Sequence, residues 1–95
     1  MTRLVLAISA EHADEILDGA RLTEHRTHPP KRLPARAYLA VPKVGVVGEC
    51  VIDQPERKAA EGWVLPVTDP KRYARPRSLD RFGLTKTPRS FRYLD

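Results

Sequence analysis

The chain has 95 residues, 41% of them hydrophobic and 31% charged, with a net charge of +5 at neutral pH and a pI near 9.8. That length suits one compact domain over residues 1–95 with a small core, and leaves no room for a second. The longest apolar runs, Leu4 to Ile8 and Val44 to Val47, are too short for a leader or a membrane span, and the single Cys50 cannot close an internal disulfide, so a cytoplasmic protein without structural redox chemistry is expected.

In chain order, Leu4, Val5, Leu6 and Ile8 make residues 3–9 a largely buried first strand. Ser9 or Ala10 opens a short helix, in which Ala13, Ile16, Leu17 and Ala20 recur at helical spacing and Glu11, Asp14, Glu15 and Asp18 face away from them. Gly19 ends it, because glycine takes the left-handed conformation after a helix at no steric cost. Residues 22–27 then read as a strand. Positions 24 and 26 share one face, roughly 7 Å apart at about 3.3 Å per residue. Arg21, in the turn before them, can swing to the same side, so that Glu24 is bracketed by two guanidiniums. Such a carboxylate stays ionised and holds the planar donor forks of Arg21 and Arg26 ready for a phosphate or a base edge.

Pro29, Pro30 and Pro34 stiffen a basic loop, and a strand runs from Ala37 to Val41, stopped by Pro42. Val44 to Ile52 is a longer strand with Val44, Val46, Gly48, Cys50 and Ile52 on one face, Cys50 as a buried thiol, and Gly45 and Gly48 permitting a bend or bulge. After a polar connection over residues 53–62, Trp63 to Val67 is a strand with Pro66 suited to a sheet edge; a basic segment containing prolines follows, and Ser90 to Leu94 is a closing strand with Phe91 and Tyr93 on one side. The order predicts an α+β fold, a small β-barrel of about six strands with one helix after the first strand and plugging one end. No recognition helix follows the first, which excludes a helix-turn-helix reader.

Charge is unevenly spread. Residues 1–19 carry one arginine against four acids, net −3, whereas residues 70–95 carry eight lysines and arginines against two aspartates, net +6. Arginine predominates there, as where phosphates are gripped by geometry as well as charge. Most aromatic residues suit the core, but Tyr73, set among Lys71, Arg72 and Arg75, reads as a surface platform for an unpaired base, and Lys31, Arg32 and Arg36 as phosphate contacts. His12, His25 and His28 lack metal-ligand spacing, with His25 facing away from Glu24, and there is no phosphate-binding glycine loop; no metal and no cofactor are expected. Ser9 reads as a helix cap and Ser90 as the start of the last strand, neither with a partner that would make it a nucleophile.

Gly19, Arg21, Glu24 and Arg26 match the spacing of a glycine followed by lysine, glutamate and arginine at offsets of two, five and seven, and together with Val46-Val47-Gly48-Glu49 and the closing Pro88 to Leu94 segment the chain resembles the ASCH domain of the PUA-like barrels over nearly its whole length. The resemblance implies a barrel with a cleft between helix and sheet, lined by the motif residues, and a role in binding RNA or nucleotide-like ligands; some relatives hydrolyse N-acylated cytidine, and ribonuclease activity has been proposed for others. Arg21 stands where that family has lysine, and Glu24 where its acylcytidine hydrolases have threonine. A guanidinium stays protonated, so Arg21 can bind or polarise but cannot serve as a base.

The first expectation is a module binding RNA, or another single-stranded or nucleoside ligand, through the Gly-x-Arg-x-x-Glu-x-Arg cleft, with Lys31, Arg32, Arg72, Tyr73 and Arg75 as further contacts. The second is a small amidohydrolase or ribonuclease in which Glu24 activates water and Arg21 or Arg26 stabilises the developing anion. A third is an adaptor that docks a partner on the acidic helix face. No membrane association is expected.

Overall fold

In the computed structural model, residues 1–94 are described. They form seven strands and one α-helix: β1 Thr2–Ala7, α1 Ala10–Leu17, β2 Thr23–Arg26, β3 Ala35–Val41, β4 Gly45–Ile52, β5 Arg57–Ala59, β6 Gly62–Arg77 and β7 Phe91–Tyr93, with a short 3-10 helix at Leu79–Phe82. All strands join one curled sheet in the order β2-β6-β4-β3-β1-β7, and β5 adds to the flank of β6. β1 and β3 are parallel, the chain between them passing through α1 and β2; the other neighbours are antiparallel.

The unbroken apolar run of β1 has a simple cause. The strand sits between β3 and β7, and both of its faces are covered. Leu4 and Leu6 belong to the main core with Ile16, Leu39, Ile52 and Leu65, on the side closed by α1, while Val5 points into a second core with Ala40, Val46, Tyr73 and Leu84. Leu79 and Phe82 of the 3-10 helix pack on that second core. Burial on both faces is what turns an alternating strand into a continuous hydrophobic one.

The helix forms as its sequence dictates. Ser9 caps it, its hydroxyl accepting from the His12 amide at 3.2 Å, and Gly19 leaves it at φ +80°. Ala13 and Ile16 are buried, and the helix packs on β3, β4 and β6. Gly48 permits the closeness of that packing: a Cβ there would lie 2.7 Å from a Leu17 methyl and 2.6 Å from the Lys71 carbonyl oxygen.

Three expectations about elements change. Val46 does not share a face with Gly48, Cys50 and Ile52, because the register slips between Leu39 and Ala40 and again between Val46 and Gly48, turning Val46 into the second core and Val47 toward the first. The polar connection contains the short β5. The basic segment is the second half of β6, which runs for 16 residues, pairing with β2 and β5 as far as Pro66 and with β4 from Val67 onward. Asp69 takes φ +52° where the strand changes course, a conformation that aspartate tolerates better than most side chains.

Candidate nucleic-acid interface

The ends of the sheet order, β2 and β7, do not pair with each other among the described residues, so the curled sheet keeps a seam. Arg26 stitches it. From the end of β2 its Nε and Nη2 donate to Glu24 Oε2 at 3.1 and 2.8 Å, its Nη2 also donates to the Ala7 carbonyl at the end of β1 at 2.7 Å, and its Nη1 donates to Ser90 Oγ just before β7 at 3.3 Å. Glu24 is buried at 4% exposure, its other oxygen accepting from the His25 amide at 3.3 Å. The alternation of a β-strand is what places the two side chains together, two residues apart on one face.

Beside this clamp opens a cleft of about 510 Å³, lined by Arg21, Glu24 and Arg26 together with Ser9, His12 and Ser90, and floored in part by Phe91. The three motif side chains therefore meet at one solvent-reachable hollow, but their roles differ from the bracketing expected of them. Arg26 takes up the carboxylate. The Arg21 amide donates to the Glu15 carbonyl at 3.0 Å, but its guanidinium makes no hydrogen bond or ion pair among the described residues, and its Nε is buried without a partner. A buried donor left unsatisfied costs about 1–3 kcal/mol, which an anionic or carbonyl ligand would recover. His25 and His28 also line the cleft, and His25 Nε2 lies 3.7 Å from Glu61 Oε1. No group of three His, Cys, Asp or Glu positioned for a metal occurs among the described residues.

The other expected contacts lie elsewhere. Tyr73 is not a surface platform: it is 8% exposed in the second core, its hydroxyl donates to Glu49 Oε1 at 2.7 Å, and the Arg77 guanidinium covers its ring at 3.7 Å. Burial together with that hydrogen bond pushes its phenol well above the ordinary range. Arg72 reaches back to the helix, donating to Asp14 at 3.0 Å and Asp18 at 2.7 Å, so its charge is absorbed within the fold and two of the helix's acids with it. Arg36 is a β3 residue paired with Glu49 and Asp69 rather than a loop cation. Arg32 lies with its guanidinium 3.7 Å over the Tyr93 ring, and the Lys31 and Arg32 amides both donate to the Tyr93 hydroxyl. Burial raises that phenol's pKa, but the two amides and the Arg32 cation outweigh it and hold the group below its usual value. Arg75 is exposed on β6, where with Arg77 and Arg81 it borders a separate hollow.

Sequence reasoning missed Ser90, His12 and Glu61 as cleft residues. Each comes from a different segment, and only the fold brings them to the seam. It also missed Trp63, which at 38% exposure is the aromatic side chain left open to solvent.

A curled antiparallel-rich sheet with one covering helix, and a charged cleft at its open seam, defines a small α+β half-barrel. No family model matches the chain, and no curated protein does. Among solved structures, the ASCH protein of Zymomonas mobilis superposes with a TM-score of 0.76 at 17% identity, over 98% of this chain and 87% of that one. A serine-to-alanine mutant of the same protein gives 0.77 at 16% identity, over 98% and 88%, and a tyrosine-to-phenylalanine mutant gives 0.68 at 17%, over 100% and 91%. The fold is that of an ASCH domain.

Proposed function

We propose that the protein binds single-stranded nucleic acid, RNA before DNA, and receives one nucleotide in the seam cleft, where Arg21 supplies the free guanidinium and the Glu24–Arg26 clamp supplies a rigid wall. The observation that carries this reading is the unpartnered Arg21 Nε beside a cleft of about 510 Å³ in a chain of net charge +5. A planar cation with unmet donors, held in a partly dry hollow, recognises phosphate or a base edge bidentately. The matching fold of a Zymomonas mobilis ASCH protein agrees with it in architecture. No helix among the described residues is long and apolar enough to cross a membrane.

The geometry favours binding over hydrolysis at Glu24. Both carboxylate oxygens already accept hydrogen bonds and the group is buried, so it is poorly placed to take a proton from water. Labelled single-stranded RNA, single-stranded DNA and duplex DNA, titrated with wild-type protein and Arg21→Ala, test the reading. RNA is expected to bind most tightly, and the variant to lose at least about tenfold, the worth of a charge-assisted hydrogen bond. Saturable binding that Arg21→Ala leaves untouched overturns the assignment of the cleft. In parallel, turnover of N4-acylated cytidine or RNA that disappears in Glu24→Gln would replace the binding reading with the hydrolytic one.

A further inference from the structure

A second hollow of about 440 Å³ adjoins the cleft and shares Thr27 and His28 with it. Its walls are Pro29, Pro30, Pro55 and Trp63, and its lining includes Lys31 but no carboxylate. Trp63 pairs directly across from Arg26 in the β2–β6 ladder, so the indole leaves the sheet on the same side as the clamp. Directly paired residues of antiparallel strands have Cβ atoms about 5 Å apart. Lys58, opposite Trp63 on its other flank, brings its Nζ to 5.5 Å from the ring centroid.

From this arrangement we infer that the hollow is a second nucleotide subsite, continuous with the first: Trp63 is the platform for the base next to the one in the cleft, and Lys31 and Lys58 meet the phosphates that join them. The inference rests on the reading of the cleft as a nucleotide site, and narrows the ligand to a strand of at least two nucleotides. Three features select an unpaired strand as occupant. The lining is cationic without acidic groups, which matches a phosphodiester chain. The indole is the one aromatic ring among the exposed large apolar side chains, and base–aromatic stacking is the sequence-tolerant use of such a ring. The prolines fix the groove wall in advance, so little ordering accompanies binding. A duplex cannot use the site, because its bases are already stacked on one another.

Trp63 is the sole tryptophan of the chain, so its fluorescence reports on the subsite alone. The experiment titrates wild type, Trp63→Leu, Trp63→Phe and Arg21→Ala with a 5′-mononucleotide, the matching dinucleotide and an unstructured RNA hexamer. Affinity is read from competition against labelled RNA, and indole emission is followed in wild type. The dinucleotide and hexamer should quench the indole while the mononucleotide does not. Trp63→Leu, which keeps apolar bulk but cannot stack, should lose about 10- to 100-fold for the hexamer and nothing for the mononucleotide, with Trp63→Phe in between. Arg21→Ala should weaken all three ligands. Unchanged hexamer affinity in Trp63→Leu, or hexamer binding without quenching, removes the subsite while leaving the cleft intact. Absence of binding by any of the nucleotides removes both.

Discussion

Arg26 carries four hydrogen bonds from one guanidinium, to three different segments, and is therefore both the mate of Glu24 and the fastener of the seam. Removing it leaves Glu24 buried and unpaired, a loss of about 3–5 kcal/mol for a buried pair. The value expected for Arg26→Met is about 3 kcal/mol, at the low end because 16% of the arginine side chain still meets solvent. Urea denaturation should show this, and Glu24→Gln added to Arg26→Met should restore about 1 kcal/mol by discharging the orphan. Cys50 gives a prediction in pH. Burial pushes its thiol up to about 12, above the roughly 8.5 of an unfolded cysteine, so its contribution is complete below about pH 8.5 and is lost as pH rises toward 12. Between those limits Cys50→Ala should flatten the fall in unfolding free energy by about 1.4 kcal/mol per pH unit, measured by urea midpoints at pH 8, 9.5 and 10.5. At this scale the pairing of Glu24 with Arg26 is readable from strand parity alone. That Tyr73 is buried and Trp63 exposed is not: alternation along β6 cannot say which face is covered, and the second core that hides Tyr73 is completed by Leu79, Phe82 and Leu84 from beyond the strand.

Elements were legible where local chemistry and tertiary packing agree. Ser9 and Gly19 mark the ends of α1 by capping and by left-handed geometry, and β1, β3 and β4 announce themselves by apolar content. β6 was half hidden because Pro66, Pro70 and Pro76 remove ladder donors and read as breaks. The sheet tolerates them because the strand changes partners: each stretch is paired on a different flank, and the slips in register against β4 at Val46/Gly48 and Glu49/Val51 absorb the missing bonds. The bulge near Gly48 also lies under Leu17 of α1. Gly48→Ala should therefore cost about 1–3 kcal/mol, since the new methyl meets the Lys71 carbonyl, which is backbone, as well as the mobile end of Leu17. Thermal or urea unfolding decides it. Trimming Leu17 to alanine relieves one contact and not the other, so Leu17→Ala/Gly48→Ala should remain less stable than Leu17→Ala alone.

Across the whole molecule, the uneven charge of the sequence resolves into spent and unspent cations. Arg26, Arg36 and Arg72 answer carboxylates within the fold, whereas Arg75, Arg77 and Arg81 surround a hollow of about 400 Å³ with no ion pair to any of them among the described residues. Arg77 is additionally fixed by its stack on Tyr73, so at least one of the three holds a set direction. Unpaired, oriented guanidiniums outside the cleft can add affinity for a strand without adding base selectivity, because phosphate contacts are blind to sequence. That separation is measurable. Each phosphate neutralised on a single strand contributes a slope of about −0.7 in log K against log salt. Replacing Arg75, Arg77 and Arg81 together by alanine should therefore make the slope shallower by about 2 for an RNA long enough to reach them, while a mononucleotide in the cleft, too short to span the two regions, should bind the triple variant as it binds the wild type. If the slope stays the same, these arginines face solvent without a strand, and nucleic-acid affinity must come from the seam and its neighbouring groove alone.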